Sequence, residues 1–168
     1  MLPELLVRER DRVECTTFMG LLPEIDHAWM SVDNVLFLWN YYTQDITQFR
    51  KLQQVIVTVA LVAPRRGIMK ASVKHVLAVS TTQEVALLAV TYPDGSGSGR
   101  NGRMEICQTG FVAPTNGVAM TKIAGHANGR AFMASRDGNL YELSFSVQHN
   151  PTFGALGFED PTVMECER

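Results

Sequence analysis

GRAFMASRDGNLYELSFSV, residues 129–147, carries the pattern that decides the fold. Ala131 to Ala134 is a short apolar run, and Arg136-Asp137-Gly138-Asn139 is a turn, because Asp-Gly favours the positive φ of tight hairpins. Tyr141, Leu143, Phe145 and Val147 then alternate with Glu142, Ser144 and Ser146. Period-two alternation sends one set of side chains into a core and the other toward water or a polar seam. The stretch therefore reads as the outer half of a small antiparallel sheet. It places no reactive group.

Two other stretches have the same form. HAWMSVDNVLFLWNY (27–41) and HVLAVSTTQEVALLAVTY (75–92) are each strand, turn, strand, with turns near Asp33 and Thr82. The three turns are spaced by roughly 50 residues, the repeat length of a β-propeller blade. An apolar strand precedes each of the last two units, Val55 to Ala63 and Val118 to Gly125, and Phe18 to Leu22 stands in that place for the first. Val55 to Ala63 is apolar on both faces and is expected to be a central strand covered on each side. Stacked blades explain such two-sided strands; a β-sandwich, the main alternative, exposes one face of each sheet and gives cleaner alternation.

The expected fold is all-β, a β-propeller fragment of about three four-stranded antiparallel blades in an incomplete ring. The expected divisions are an N-terminal arm over 1–16, a partial first blade over 17–54, a second blade over 55–117, and an incomplete third blade with a tail over 118–168. Residues 2–14 read as a short helix or an ordered arm. The polar stretch TQDITQFRKLQQ (43–54) is open between loop, short helix and outer edge strand. Met104 to Gln108 reads as an edge strand and Phe111 to Gly117 as loop, while PDGSGSGRNGR (93–103) is expected to be a surface loop. Three blades do not close a ring of the usual four to eight, so the terminal blades are expected to present open apolar faces.

Composition limits the function classes. The 168 residues are 46% apolar and 19% charged, with a net charge of −2. That balance offers no electrostatic footing for nucleic acid or an anionic membrane surface. Cys15, Cys107 and Cys166 lie too far apart for a zinc knuckle and are odd in number, against a disulfide framework. The N-terminus lacks the apolar stretch of a secretory signal, and the longest apolar run, Val55 to Ala63, falls short of the roughly 20 residues of a membrane span.

Candidate chemistry is sparse. Gly97 to Gly102 matches G-x-G-x-x-G, but the helix that must follow a dinucleotide fingerprint is missing from the pattern, since Gly110 interrupts what comes next. His27, His75, His126 and His149 show no metal-ligand spacing. Asp26 and His27 are neighbours whose side chains should diverge on a strand. Trp29 and Trp39 could stack a ligand but read better as core, beside Met30, Phe37 and Leu38. Phe153, Leu156 and Phe158 form an apolar cluster in the tail. No catalytic, cofactor-binding or metal-binding residue is assigned, and no cofactor is expected. A propeller enzyme would need titratable groups at the inner ends of its central strands, where Val55 to Ala63 offers only Thr58.

Several separated blocks, in order, resemble one family: LPEL (2–5), MGLLPEIDHAWMSVDNVLFLWNY (19–41), ALVAPRRGIM (60–69), VKHVLAV (73–79) and GRAFMASRDGNLYELSF (129–145). They look like the N-terminal β-propeller of the large inner-ring nucleoporins. The resemblance spans residues 2 to about 147. It implies a non-enzymatic scaffold role in the nuclear pore complex, at the nuclear envelope, supporting nucleocytoplasmic transport. It implies other nucleoporins as partners, with contact to the pore membrane that falls on no named residue here, and neither nucleic acid nor a small-molecule substrate. In the family a helical solenoid follows the propeller. The alternative is a generic propeller adaptor with no association with the pore.

Overall fold

A computed structural model describes residues 2–11, 15–65, 67–70, 72–92, 103–147 and 162–167. One short helix, α1 (Glu4–Arg10), precedes the strands β1 (Thr17–Leu22), β2 (His27–Val32), β3 (Val35–Asn40), β4 (Ile46–Phe49), β5 (Ile56–Val62), β6 (Val73–Thr81), β7 (Glu84–Thr91), β8 (Glu105–Pro114), β9 (Met120–Gly125), β10 (Ala131–Ser135), β11 (Leu140–Val147) and β12 (Thr162–Glu167). They form three four-stranded antiparallel sheets in the orders β1-β2-β3-β4, β5-β6-β7-β8 and β9-β10-β11-β12. Each sheet is a meander of consecutive strands, and the sheets stack as propeller blades do.

The two-sided apolar strands belong to the middle sheet. Leu77, Val79, Ala86 and Leu88 face the first sheet and join Trp29, Leu36, Leu38 and Phe49 in one core. Val76, Ala78, Val85 and Leu87 face the third sheet and join Ile123, Ala131, Met133 and Leu143 in a second. Alternate residues of β6 and β7 thus go to opposite cores, and both sets must be apolar.

One hydrogen bond recurs in all three blades. The backbone N–H of a hairpin-turn residue donates to the carbonyl of the residue just before that blade's first strand. The pairs are Asp33 to Thr16 (2.9 Å), Thr82 to Val55 (3.1 Å) and Arg136 to Ala119 (2.9 Å). The first turn also reaches the next blade, because Ile56 N–H donates to the Asp33 carbonyl at 2.8 Å. In the third turn only Gly138 needs the left-handed region, at φ +84°. Ser135 and Asn139 enclose the loop, and the Asp137 carboxylate accepts from Ser135 Oγ, Asn139 N–H (3.0 Å) and Tyr141 O–H (2.8 Å).

Four expectations need correction. β5 is the edge strand of its sheet, not its centre; it is covered because the first strands of both neighbouring blades, β1 and β9, pack against it. At that joint a Cβ on Gly125 would collide with the Leu61 carbonyl oxygen and lie 2.9 Å from Val62 Cα. Phe111 to Pro114 is strand rather than loop: β8 continues past an irregularity at Leu88, with Gly110 at φ +80°. Thr109 Oγ1 donates to the Leu87 carbonyl there at 2.6 Å. The first and third sheets each hold four strands, through β4 and β12. Edge strands need little two-sided apolar character, so neither announced itself. The two outer faces of the stack are not alike either. The first is apolar and partly covered by α1, with Leu6 buried against Met30, Val32 and Phe37. The third carries Lys122, Arg130 and Glu142 beside Phe132 and Leu140.

Candidate functional site

A concavity lies between the outer strands of the first two blades. Among the described residues β4 pairs with β3 and β8 with β7. Residues of both strands line a cleft of about 970 Å³. β4 supplies Ile46, Thr47 and Gln48; Arg103 and Met104 lead into β8, which supplies Glu105, Ile106 and Cys107. His27 and Asn40 line its first-sheet wall beside Thr43 and Asp45.

The loop before β4 is built to hold this wall still. Asn40 Oδ1 accepts from the N–H groups of Tyr42 (2.9 Å) and Thr43 (3.1 Å). Asn40 N–H donates to the Asp45 carbonyl at 2.9 Å, and Thr43 Oγ1 donates to Asp45 Oδ2 at 2.7 Å. This loop of turn-forming residues closes on its own side chains. His27 is buried, and its Nδ1 bonds the Ile25 carbonyl. Burial lowers its pKa, against the opposing pull of that bond and of Asp26 and Asp45. Burial thus favours the neutral form of His27 in this wall.

The cleft offers shape and hydrogen bonds rather than reactivity. Its charged groups, Asp45, Arg103 and Glu105, are mixed in sign. Among the described residues no three His, Cys, Asp or Glu groups could hold a metal ion. What it does present is the last strand of each of two sheets, the kind of element that can accept an added extended segment.

The residues weighed from the sequence do not converge. Trp29 packs in the core between the first and second sheets, whereas Trp39 packs on the other face of the first sheet. They share no platform. His75 is half-buried, and burial lowers its pKa. His126 Nδ1 meets Asn128 Oδ1 at 2.9 Å in an exposed turn. Asp26 and His27 do diverge: Tyr41 O–H donates to Asp26 at 3.4 Å, while the imidazole turns to Ile25. The glycine pattern of 97–102, His149 and the cluster Phe153, Leu156 and Phe158 lie outside the described residues. Sequence reading missed the cleft. Its one visible trace was the polar stretch 43–54, for which an outer edge strand was one of three readings.

Known proteins resemble the chain along most of its length. The family model described as Nup133 N terminal like matches residues 1–156. A probable nucleoporin of Schizosaccharomyces pombe is 34% identical over 149 residues, covering 88% of this chain and 11% of the relative. The nuclear pore complex protein Nup154 of Drosophila melanogaster is 32% identical over 148 residues, with the same two coverages. The chain thus spans about a tenth of the length of these curated relatives. Among solved structures, the Chaetomium thermophilum Nup170 NTD–Nup53 complex contains a chain that superposes with a TM-score of 0.79 at 28% identity, covering 97% of this chain and 23% of that one. With the family model matched over residues 1–156 and two relatives above 30% identity along 88% of its length, the chain belongs to the Nup133 N-terminal-like family of nucleoporins.

Proposed function

We propose that this chain supplies the first three blades of a scaffold propeller of the nuclear pore complex, non-enzymatic and acting through protein contacts at the nuclear envelope. A partner nucleoporin lies along the cleft between the first and second blades as an extended segment. The observation that carries this reading is that β4 and β8, each the last strand of its sheet, both line one cleft of about 970 Å³. Main-chain pairing supplies affinity in such sites and the flanking side chains supply selectivity. The solved neighbour was captured with Nup53, so a Nup53-like segment is the first partner to try.

Two measurements test this separately. Calorimetry with a Nup53-like segment should show at least about tenfold weaker binding for a Cys107→Trp variant, which fills the cleft from an exposed position. Unchanged affinity would move the partner to another surface. Imaging of the tagged full-length polypeptide should show a nuclear rim. A diffuse cytosolic signal would favour a propeller adaptor with no place at the pore.

A further inference from the structure

Strand parity fixes where His27 points. Trp29 packs into the core between the first two sheets. His27 lies two residues before it on β2, so its side chain leaves on the same face, toward the second blade. Asn40, the register partner of His27 on β3, leaves on that face with Leu38. Both line the cleft beside Thr43 and Asp45 of the loop before β4. The histidine is only 4% exposed. It is a buried polar side chain set in the wall of an open cavity.

Its hydrogen bonding is half complete. A carbonyl oxygen can only accept, so the Nδ1 that bonds the Ile25 carbonyl carries the ring proton. With the neutral form favoured by burial, Nε2 keeps its lone pair and acts as an acceptor. Among the described residues no group donates to it. The charges acting on the ring are the carboxylates of Asp26 and Asp45. Asp26 accepts from Tyr41 O–H. Asp45 is exposed and accepts from Thr43 Oγ1 at Oδ2, and among the described residues nothing bonds its Oδ1. Arg103 and Glu105 line the facing wall, and neither is among the charges felt by the ring.

We propose that this end of the cleft recognises a cation: the extended segment lying in the cleft places a lysine or arginine side chain here, donating to His27 Nε2 and to the Asp45 carboxylate. The inference rests on the cleft reading above and adds the chemistry of the occupant. Two other occupants fit less well. A carboxylate or phosphate would meet two acidic side chains and a lone pair. An apolar side chain would cover both acceptors and leave them unpaired, which is costly. A cation satisfies both at once, and its charge-assisted bonds are stronger than neutral ones. The wall is also prepared for it. Asn40 and Thr43 already hold the loop that carries Asp45, so little ordering remains to be done on binding.

The test is a double-mutant cycle read by calorimetry on the full chain with a Nup53-like segment. Each lysine and arginine of the segment is replaced in turn by methionine, then titrated against the native chain and against Asp45→Asn. The asparagine keeps an acceptor for Thr43 and removes the charge. One segment position should lose at least about tenfold in affinity on the native chain and less than about threefold on Asp45→Asn. Equal losses on both chains at every position would overturn the proposal. A second readout reports the ring itself. In the full chain with nitrogen-labelled histidine, the His27 Nε2 resonance should move when the native segment binds and stay in place when that one cation is methionine. A resonance that the native segment does not move would also overturn it. Cys107→Trp separates the two readings. If it weakens binding while no segment cation couples to Asp45, the cleft reading stands and the cation site falls. If it leaves affinity unchanged, the segment binds elsewhere and both fall.

Discussion

The first and third blades end the stack in opposite ways. The outward face of the first is apolar: Met19, Leu21, Ala28, Met30, Phe37 and Trp39 share one side of the sheet, and a helix is spent on covering part of it. The outward face of the third carries charge. Arg130 donates two hydrogen bonds to the Glu142 carboxylate, at 2.6 and 2.7 Å, and its guanidinium lies 5.0 Å from the centre of the Phe132 ring. The guanidinium stem and plane shield the aromatic ring while the charge stays solvated. Repeats of one architecture thus carry different surfaces. The first blade is held at its end by apolar burial, the third by charge-assisted pairing over an aromatic ring.

The largest expected effect separates the ends by breaking the joint beneath the third blade. Gly125→Val places side-chain atoms against the Leu61 carbonyl and Val62 Cα, which are backbone and have nowhere to go. The loss should reach about 4 kcal/mol, at the top of what single substitutions do. Urea unfolding followed through Trp29 and Trp39 fluorescence, both in the first blade, would report whether that blade survives. A single shifted transition would mean the blades unfold as one.

Leu6→Ala comes next, at roughly 3 kcal/mol for a fully buried leucine. The exchange protection of β2 and β3 should fall, with that of β10 and β11 unchanged. Equal losses at both ends would erase the contrast drawn above.

Acid should produce the smallest effect, and on the third blade alone. Hydrogen bonds from Ser135 first, and from Asn139, hold the Asp137 carboxyl well below the usual range; the hydrogen bond from Arg130 lowers that of Glu142. A carboxyl depressed in the folded state stabilises above its unfolded pKa, and that contribution is lost as pH falls through the folded pKa. Lowering pH below about 4 should therefore loosen the β10–β11 hairpin while the apolar seat of α1 holds. Glu142→Gln with Asp137→Asn should abolish the difference. Amide exchange across an acid series measures it, and uniform loosening of both ends would contradict it.

Legibility in the sequence tracked burial. β2, β3, β6, β7, β10 and β11 announce themselves because hairpins closed by Asp33, Thr82 and Gly138 join strands that face cores. β4 and β12 are the last strands of their sheets, and edge strands need no regular pattern. The continuation of β8 was hidden by Gly110 and Pro114, which read as loop but serve as an irregularity and a strand end. α1 is two turns long, too short for its period to show. The cleft depends on how two sheets splay and is lined partly by main chain, so no side-chain pattern encodes it. The asymmetry of the ends was misjudged for another reason. Apolar content was legible, but which residues share a face is set by register, and Arg130 covering Phe132 appears only once β10 and β11 are paired.

The bond from each hairpin turn back to the start of its own blade has a kinetic consequence. Thr16 and Asp33, Val55 and Thr82, and Ala119 and Arg136 are each separated by fewer than about 30 residues, so each ring of chain closes at small entropic cost. The first two strands of each blade can settle as soon as their own turn has been synthesised. A growing chain could therefore lay down one blade at a time as it leaves the ribosome, with the fourth strand of each sheet added last.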